Sequence, residues 1–366
     1  MDNLEIQKGF YHPVCNESEI ERIFNVQNSN DHLLKLRADT IVDHMRLFRV
    51  YRNKAIQFGE KWSLEASFQD LHYKSVLQKL GRDEAQLCGG IAFGGMFSND
   101  PNGSIFQTDW GIVSTISESL QFFLKFLHLA VLEFEQEVPD YVRLNALRIA
   151  IRVMLKTETL DFFMDPRGII PNSIEKTIAS PIPYQMQFIA GHEFAHYLLG
   201  HLSNGRLLNQ PIFHAISPND TEYGSLKVFN PSQRDEFDAD LQSILLPSYN
   251  SFEKSQLLEA ALLWFGCLEL FEHVKDIMFP TGSTTYKTHP SARERFDNLL
   301  TNVPTPQGFE TTKWSGFLKL VDSILPQLSE DVSVNWEHYE FYGSVYLDEP
   351  NSQWRGPELI DRVDYY

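Results

Sequence analysis

Residues 191 to 201 read GHEFAHYLLGH, and within them His192, Glu193 and His196 form HExxH. At 100° per residue, positions four apart differ by about 40° around a helix, so the two imidazoles project side by side and can grip one ion from one face. Zinc accepts imidazole nitrogen at about 2.0 to 2.1 Å, a distance that both can satisfy together. Glu193 then borders the open coordination position, where its carboxylate can take a proton from water and later deliver it to a leaving amine. Met186, Phe188, Ile189, Phe194, Ala195, Tyr197, Leu198 and Leu199 leave this helix apolar nearly all round. It is expected to be buried, and buried ionisable groups need partners, of which zinc is one.

A third ligand is required, and two stretches offer it. His201 follows His196 by five residues, about 140° away on an ideal helix. The HExxHxxGxxH pattern would need Gly at 199 and His at 202, where this chain has Leu199 and Leu202. His201 is therefore expected to cap carbonyls at the helix end or to line the cleft. The better source is SQRDEFDADLQSILLP at 232 to 247, which opens with Ser232 as N-cap, has Asp235 three residues on, and stops at Pro247. Glu236 and Asp240 share a face of that helix. Glu236 would complete a His, His, Glu site, and Asp240, one turn on, would accept a hydrogen bond from the other nitrogen of a ligand histidine. A solvated acidic first turn is the alternative for this cluster, and Asp235 and Asp238 keep that reading.

HExxH followed by EFDAD at 236 to 240 and by THPSARERF at 288 to 296 resembles the gluzincin metallopeptidases of the CAAX prenyl protease and HtpX families. The resemblance is closest to the Lit phage-exclusion peptidases, which have the three elements in the same order and a histidine five residues after the second ligand. It covers roughly residues 184 to 300. It implies zinc bound by His192, His196 and Glu236, with Glu193 as base, Asp240 behind a ligand, and His289 and Arg295 approaching the site. His289 would help stabilise the oxyanion, with His214 and Tyr223 as alternatives, while the plain reading of His289 and Pro290 is a helix start. The segment between the ligand helices is longer than in the Lit pattern. It reads as a loop holding Asn204, Gly205, Pro211, Pro218 and Gly224, suited to a lid or substrate wall.

The elements that must position these groups read as mainly α (α+β), with a small sheet beside the active-site helix that the gluzincin likeness alone implies. Apolar periodicity marks helices within Asn30 to Phe58 and Ser117 to Val138. GGIAFGGMF at 89 to 97 has neither GxGxxG nor GxxxxGK and reads as a tight turn or close backbone packing, not as a phosphate loop. Pro166, Gly168, Pro171, Pro181 and Pro183 punctuate the chain. The expected division is 1–165, mainly helical, 166–302, the peptidase core, and 303–366, acidic and rich in aromatic residues.

Composition narrows the function. The chain has 366 residues, 43% of them hydrophobic, and a formal charge of −18, which disfavours nucleic acid and anionic membrane as partners. Residues 330–366 carry nine acidic and two basic side chains among many aromatics and read as a packed subdomain or a contact surface. Cys15, Cys88 and Cys267 lie far apart, as in a reducing cytoplasm, and MDNLEIQKGF lacks the features of a signal peptide. Leu120 to Phe134 and Leu257 to Phe271 are interrupted by charge and read as buried helices. The expectation is a soluble, cytoplasmic zinc endopeptidase acting on a protein or peptide. The Lit likeness adds a role in phage defence and room for an activating or inhibitory protein partner. The alternatives are a metal-binding regulator or toxin-like interaction protein without proteolysis, and an inert helical scaffold.

Overall fold

The structure is a computed structural model that describes residues 3–98, 101–204, 206–211, 225–230, 232–280 and 290–357, of which 3, 203, 204, 206–211 and 225–230 are described by their backbone alone. It is mainly helical with a small sheet. Six helices open the chain: α1 (Asn3–Tyr11), α2 (Glu17–Phe24), α3 (Ser29–Val42), α4 (Met45–Phe58), α5 (Leu71–Leu77) and α6 (Arg82–Cys88). Strands β1 (Ala92–Met96), β2 (Gly103–Thr108) and β3 (Gly111–Ser117) follow, then α7 (Leu120–Val131), α8 (Asp140–Leu155), α9 (Asn172–Ala179), α10 (Ile182–Leu198) and the short α11 (His201–Asn204). Strands β4 (Arg206–Pro211) and β5 (Ser225–Asn230) precede α12 (Gln233–Leu245), α13 (Ser251–Met278), α14 (Ala292–Asn302), α15 (Thr311–Val334) and α16 (Trp336–Glu340). As expected, Leu120 to Phe134 and Leu257 to Phe271 fall largely within buried helices, α7 and α13. Among the described residues no helix is long and apolar enough to cross a membrane.

The sheet corrects two expectations. Its order is β1-β3-β2-β5-β4, with β1 parallel to β3 and the other neighbours antiparallel. Three of its strands come from residues 92–117, inside the region read as mainly helical, because the glycines of GGIAFGGMF look like turn signals. In the fold, part of that run is strand β1, paired with β3 from Ala92↔Val113 to Met96↔Ser117. The other two strands occupy the ends of the expected loop between the ligand helices, where RLLNQP and SLKVFN carry enough β-forming residues to pair from Arg206↔Asn230 to Pro211↔Ser225.

Strand alternation decides what each face of the sheet meets. Ala92, Met96, Phe106 and Val113 form a buried cluster with Leu33 and Leu36 of α3. On the opposite face Phe93 and Ser114 meet Tyr73 of α5, through a stacked ring pair and a hydroxyl contact of 3.1 Å, and Phe93 also lies edge-on to Phe194 of α10. Gly103 and Ile105 share the α10 side. The site helix is thus sandwiched between the sheet and the helices that follow it in sequence.

The main buried cluster runs from Val14 to Trp354 and crosses both 165/166 and 302/303, so the three expected regions share one core. Residues 330–357 pack back as a subdomain does. Arg148 donates to Asp331 at 2.9 Å, the Tyr339 hydroxyl to Asp331 at 2.6 Å, the Tyr346 hydroxyl to Asp165 at 2.9 Å, and Arg152 and Arg167 converge on Glu158 at 2.8 and 2.7 Å. The Asp331 and Tyr346 contacts tie the acidic C-terminal segment to α8 and to the punctuated stretch after it, and the Glu158 pairs brace that stretch against α8.

His128 of α7 fastens α10 near its start. Its Nδ1–H donates to the Ile178 carbonyl at 2.7 Å, which leaves Nε2 to accept from the Gln185 amide at 3.1 Å. Complete burial pushes its pKa down to about 4. Above pH 6.5 both the folded and the unfolded chain hold this ring neutral. As pH falls from 6.5 to 4 only the unfolded chain takes up the proton, so stability drops, by about 3 kcal/mol at the lower end. Urea unfolding at pH 7 and pH 4.5 should therefore show a smaller acid loss for His128→Gln than for wild type, and equal losses would refute it.

Candidate metal centre

α10 is driven inward by its composition. Every residue from Phe188 to His196 is buried, and the helix packs against α12, α13, α5 and β2. A Cβ on Gly191 would stand 3.3 Å from Ser243 of α12, so the two ligand helices cross closely one residue before His192. α12 begins as its sequence predicts: Ser232 accepts from the Asp235 N–H while the Asp235 carboxylate accepts from the Ser232 N–H. That cap fixes the helix start and turns Glu236 and Asp240 toward α10.

The three expected ligands meet. His192 Nε2 and His196 Nε2 are 2.9 Å apart, and the Glu236 carboxylate stands 3.5 Å from the first and 3.6 Å from the second. A tetrahedral ion with bonds of about 2.0 to 2.1 Å spaces its ligand atoms about 3.3 to 3.4 Å apart. The two carboxylate distances, one from each Glu236 oxygen, lie close to that, and the imidazole nitrogens stand somewhat nearer each other. The charges agree. Among the described residues, Glu193, Glu236 and Asp240 are buried with one guanidinium, Arg295, so with neutral imidazoles one divalent cation would balance these groups.

The groups behind the ligands set their chemistry. Asp240 Oδ1 accepts from His192 Nδ1 at 2.9 Å, which presents Nε2 as a lone pair. Burial pushes His192 down, but the Asp240 hydrogen bond and charge outweigh it and its pKa is raised, whereas His196, buried and facing His192, is pushed well down. Arg295 of α14 donates to both Asp240 oxygens at 2.8 and 2.6 Å, lies 3.4 Å from Glu236, and stacks over the Phe265 and Trp264 rings. Its aim is set by another capping box, Ser291 with Glu294, at the α14 start. Gly200 takes φ +74, a conformation that strains any side-chain-bearing residue, and reverses the chain after α10. His201 comes back against His196, Nδ1 to Nδ1 at 2.9 Å.

Glu193, buried beside the two histidines on α10, lies against the sheet. The α-carbon of Gly103, at the start of β2, is pressed against it, for an added Cβ would stand 2.6 Å from Glu193 Oε1 and 2.7 Å from its Cγ. Nothing in the sequence signalled this neighbour, ninety positions upstream of the motif. His201 was visible in the sequence, yet it neither lines a cleft nor stands only at a helix end, since it is buried against a ligand histidine. Asp235 caps α12 and also lies 3.7 Å from His201 Nε2, whereas Asp238 remains half exposed. His289, His214 and Tyr223 lie outside the described residues. Comparisons with family models, with curated proteins and with solved structures found no match, so the centre is defined by its own geometry.

Proposed function

We propose that the chain is a zinc-dependent endopeptidase of gluzincin type that hydrolyses peptide bonds in a protein substrate. The observation that carries this reading is the triangle of His192, His196 and Glu236, with ligand atoms 2.9 to 3.6 Å apart and Glu193 next to it on the same helix. A zinc ion held there would supply Lewis-acid polarisation of water and of the scissile carbonyl. The chain's own residues do the rest. Glu193 Oε takes the proton of the attacking water as the oxygen–carbon bond forms, and returns it to the nitrogen as the carbon–nitrogen bond breaks. Asp240 keeps the His192 proton on Nδ1, and Arg295 holds Asp240. The likeness to the Lit peptidases extends the proposal to phage defence in the cytoplasm.

Two measurements test it. Purified protein from zinc-replete medium should carry about one equivalent of zinc, and less than about half an equivalent would reject the enzyme. Cells expressing wild type should contain new protein N-termini missing from cells expressing Glu193→Gln. Zinc without any new N-terminus would favour a metal-binding regulator.

The sheet contact adds a prediction. Gly103→Ala must displace the Glu193 carboxylate, because the three atoms nearest to its methyl, at 2.6 to 2.9 Å, all belong to Glu193 and none to His192, His196 or Glu236. Zinc content should match wild type, and hydrolysis should fall about 100-fold through a displacement of about 1 Å. Unchanged turnover at full zinc occupancy would show that Gly103 does not position the base.

A further inference from the structure

We propose that His201 is a positioning residue for the second ligand, carrying the charge of Asp235 to His196 as Asp240 does directly for His192. The proposal rests on the metal reading above and extends it to residues that reading does not use. His196 Nδ1 and His201 Nδ1 are 2.9 Å apart, so one donates and the other accepts. The choice between them is settled by what lies beyond. His201 Nε2 faces Asp235 Oδ1 at 3.7 Å, and the other oxygen of that carboxylate is fixed by the Ser232 N–H at 2.9 Å. A lone pair on His201 Nε2 would confront a carboxylate, whereas an N–H there is attracted to it. The His201 proton therefore sits on Nε2, its Nδ1 accepts, and His196 donates from Nδ1.

That polarity leaves His196 Nε2 as a lone pair aimed at His192 Nε2 and Glu236, where an ion would stand. The opposite polarity would put a proton on the ligating nitrogen. His201 is 8% exposed, so water has little access to replace it. It cannot itself be the third ligand, because it meets His196 on the side of the ring away from Glu236. The two ligands are thus backed by carboxylates of one helix, Asp240 directly and Asp235 through an imidazole. The fold achieves this with the reversal at Gly200 and the capping box of α12, which holds Asp235 for two purposes.

The test is zinc affinity, read by competition with a chromophoric chelator on the full chain. His201→Phe keeps the ring volume and removes the acceptor, and a 10- to 100-fold loss of affinity is expected, while His201→Asn, whose amide oxygen can stand near the Nδ1 position, should return to within about threefold of wild type. Affinity unchanged in His201→Phe overturns the proposal, as does an equal loss in both variants, the sign of simple packing. Imidazole ¹⁵N NMR of zinc-loaded wild type needs no variant to fold. It should show His196 protonated on Nδ1 and His201 on Nε2, and a His201 proton on Nδ1 overturns the proposal. Wild type that binds no zinc removes the metal reading itself, and this proposal with it.

Discussion

Glu193→Gln protein should bind zinc as wild type does and hydrolyse its substrate 10²- to 10⁴-fold more slowly, the range that a positioned general base contributes. The substitution is nearly isosteric, which matters because Gly103 leaves no spare room at this side chain. It does not touch His192, His196 or Glu236, whose triangle is set by α10, α12 and the groups behind them. A glutamine amide cannot take the proton of the attacking water, so kcat should carry the loss. Metal analysis and single-turnover cleavage on one preparation check both halves. Turnover within tenfold of wild type would remove Glu193 from the proton path.

Arg295→Leu should destabilise the protein by about 3–5 kcal/mol, the usual consequence of removing one partner from a buried ion pair. Arg295 is buried and donates to both oxygens of Asp240, which is 0% exposed, so the substitution leaves a buried carboxylate without its charge partner and with the His192 Nδ1–H still facing it. Burial works against the guanidinium charge, and Asp240 first, then Glu236, outweigh it and raise its pKa. Loss of Arg295 also frees Asp240 to turn away from His192 Nδ1, so zinc affinity should fall along with stability. Arg295→Lys keeps the charge without the planar fork and should fall between the two. Urea unfolding of the three proteins measures this. A loss under about 1 kcal/mol for Arg295→Leu would mean that Asp240 is held by other groups.

Much of the centre was legible because its chemistry is local. HEFAH fixes two imidazoles on one helix face by spacing alone, and SQRDEFDAD announces its own start through Ser232 and Asp235, so Glu236 and Asp240 are placed as soon as the helix is. In the fold, the helix starts at Asn28 and Ser291 are held by short-range hydrogen bonds of the same kind, which the sequence reading did not single out. The strands were not legible. AFGGM has the glycines of a turn, and only pairing with β3 and the cover of α3 and α10 make it a strand. The hairpin of β4 and β5 hid in a segment whose prolines and glycines suggested a loop.

By itself, then, the sequence determined the kinds of candidate ligand, the face on which the two histidines project, and the helix that brings Glu236 to them, because each depends on contacts within a turn or two. Only the tertiary structure decided which groups stand behind them. Asp240 meets Arg295 across 55 residues, Glu193 rests on Gly103 because strand alternation turns that α-carbon toward α10, and His201 reaches His196 because the chain reverses at Gly200. The physical reason is that side-chain spacing along one helix is set by its pitch, whereas these partnerships are set by how separate elements pack, and no short stretch of sequence contains that information.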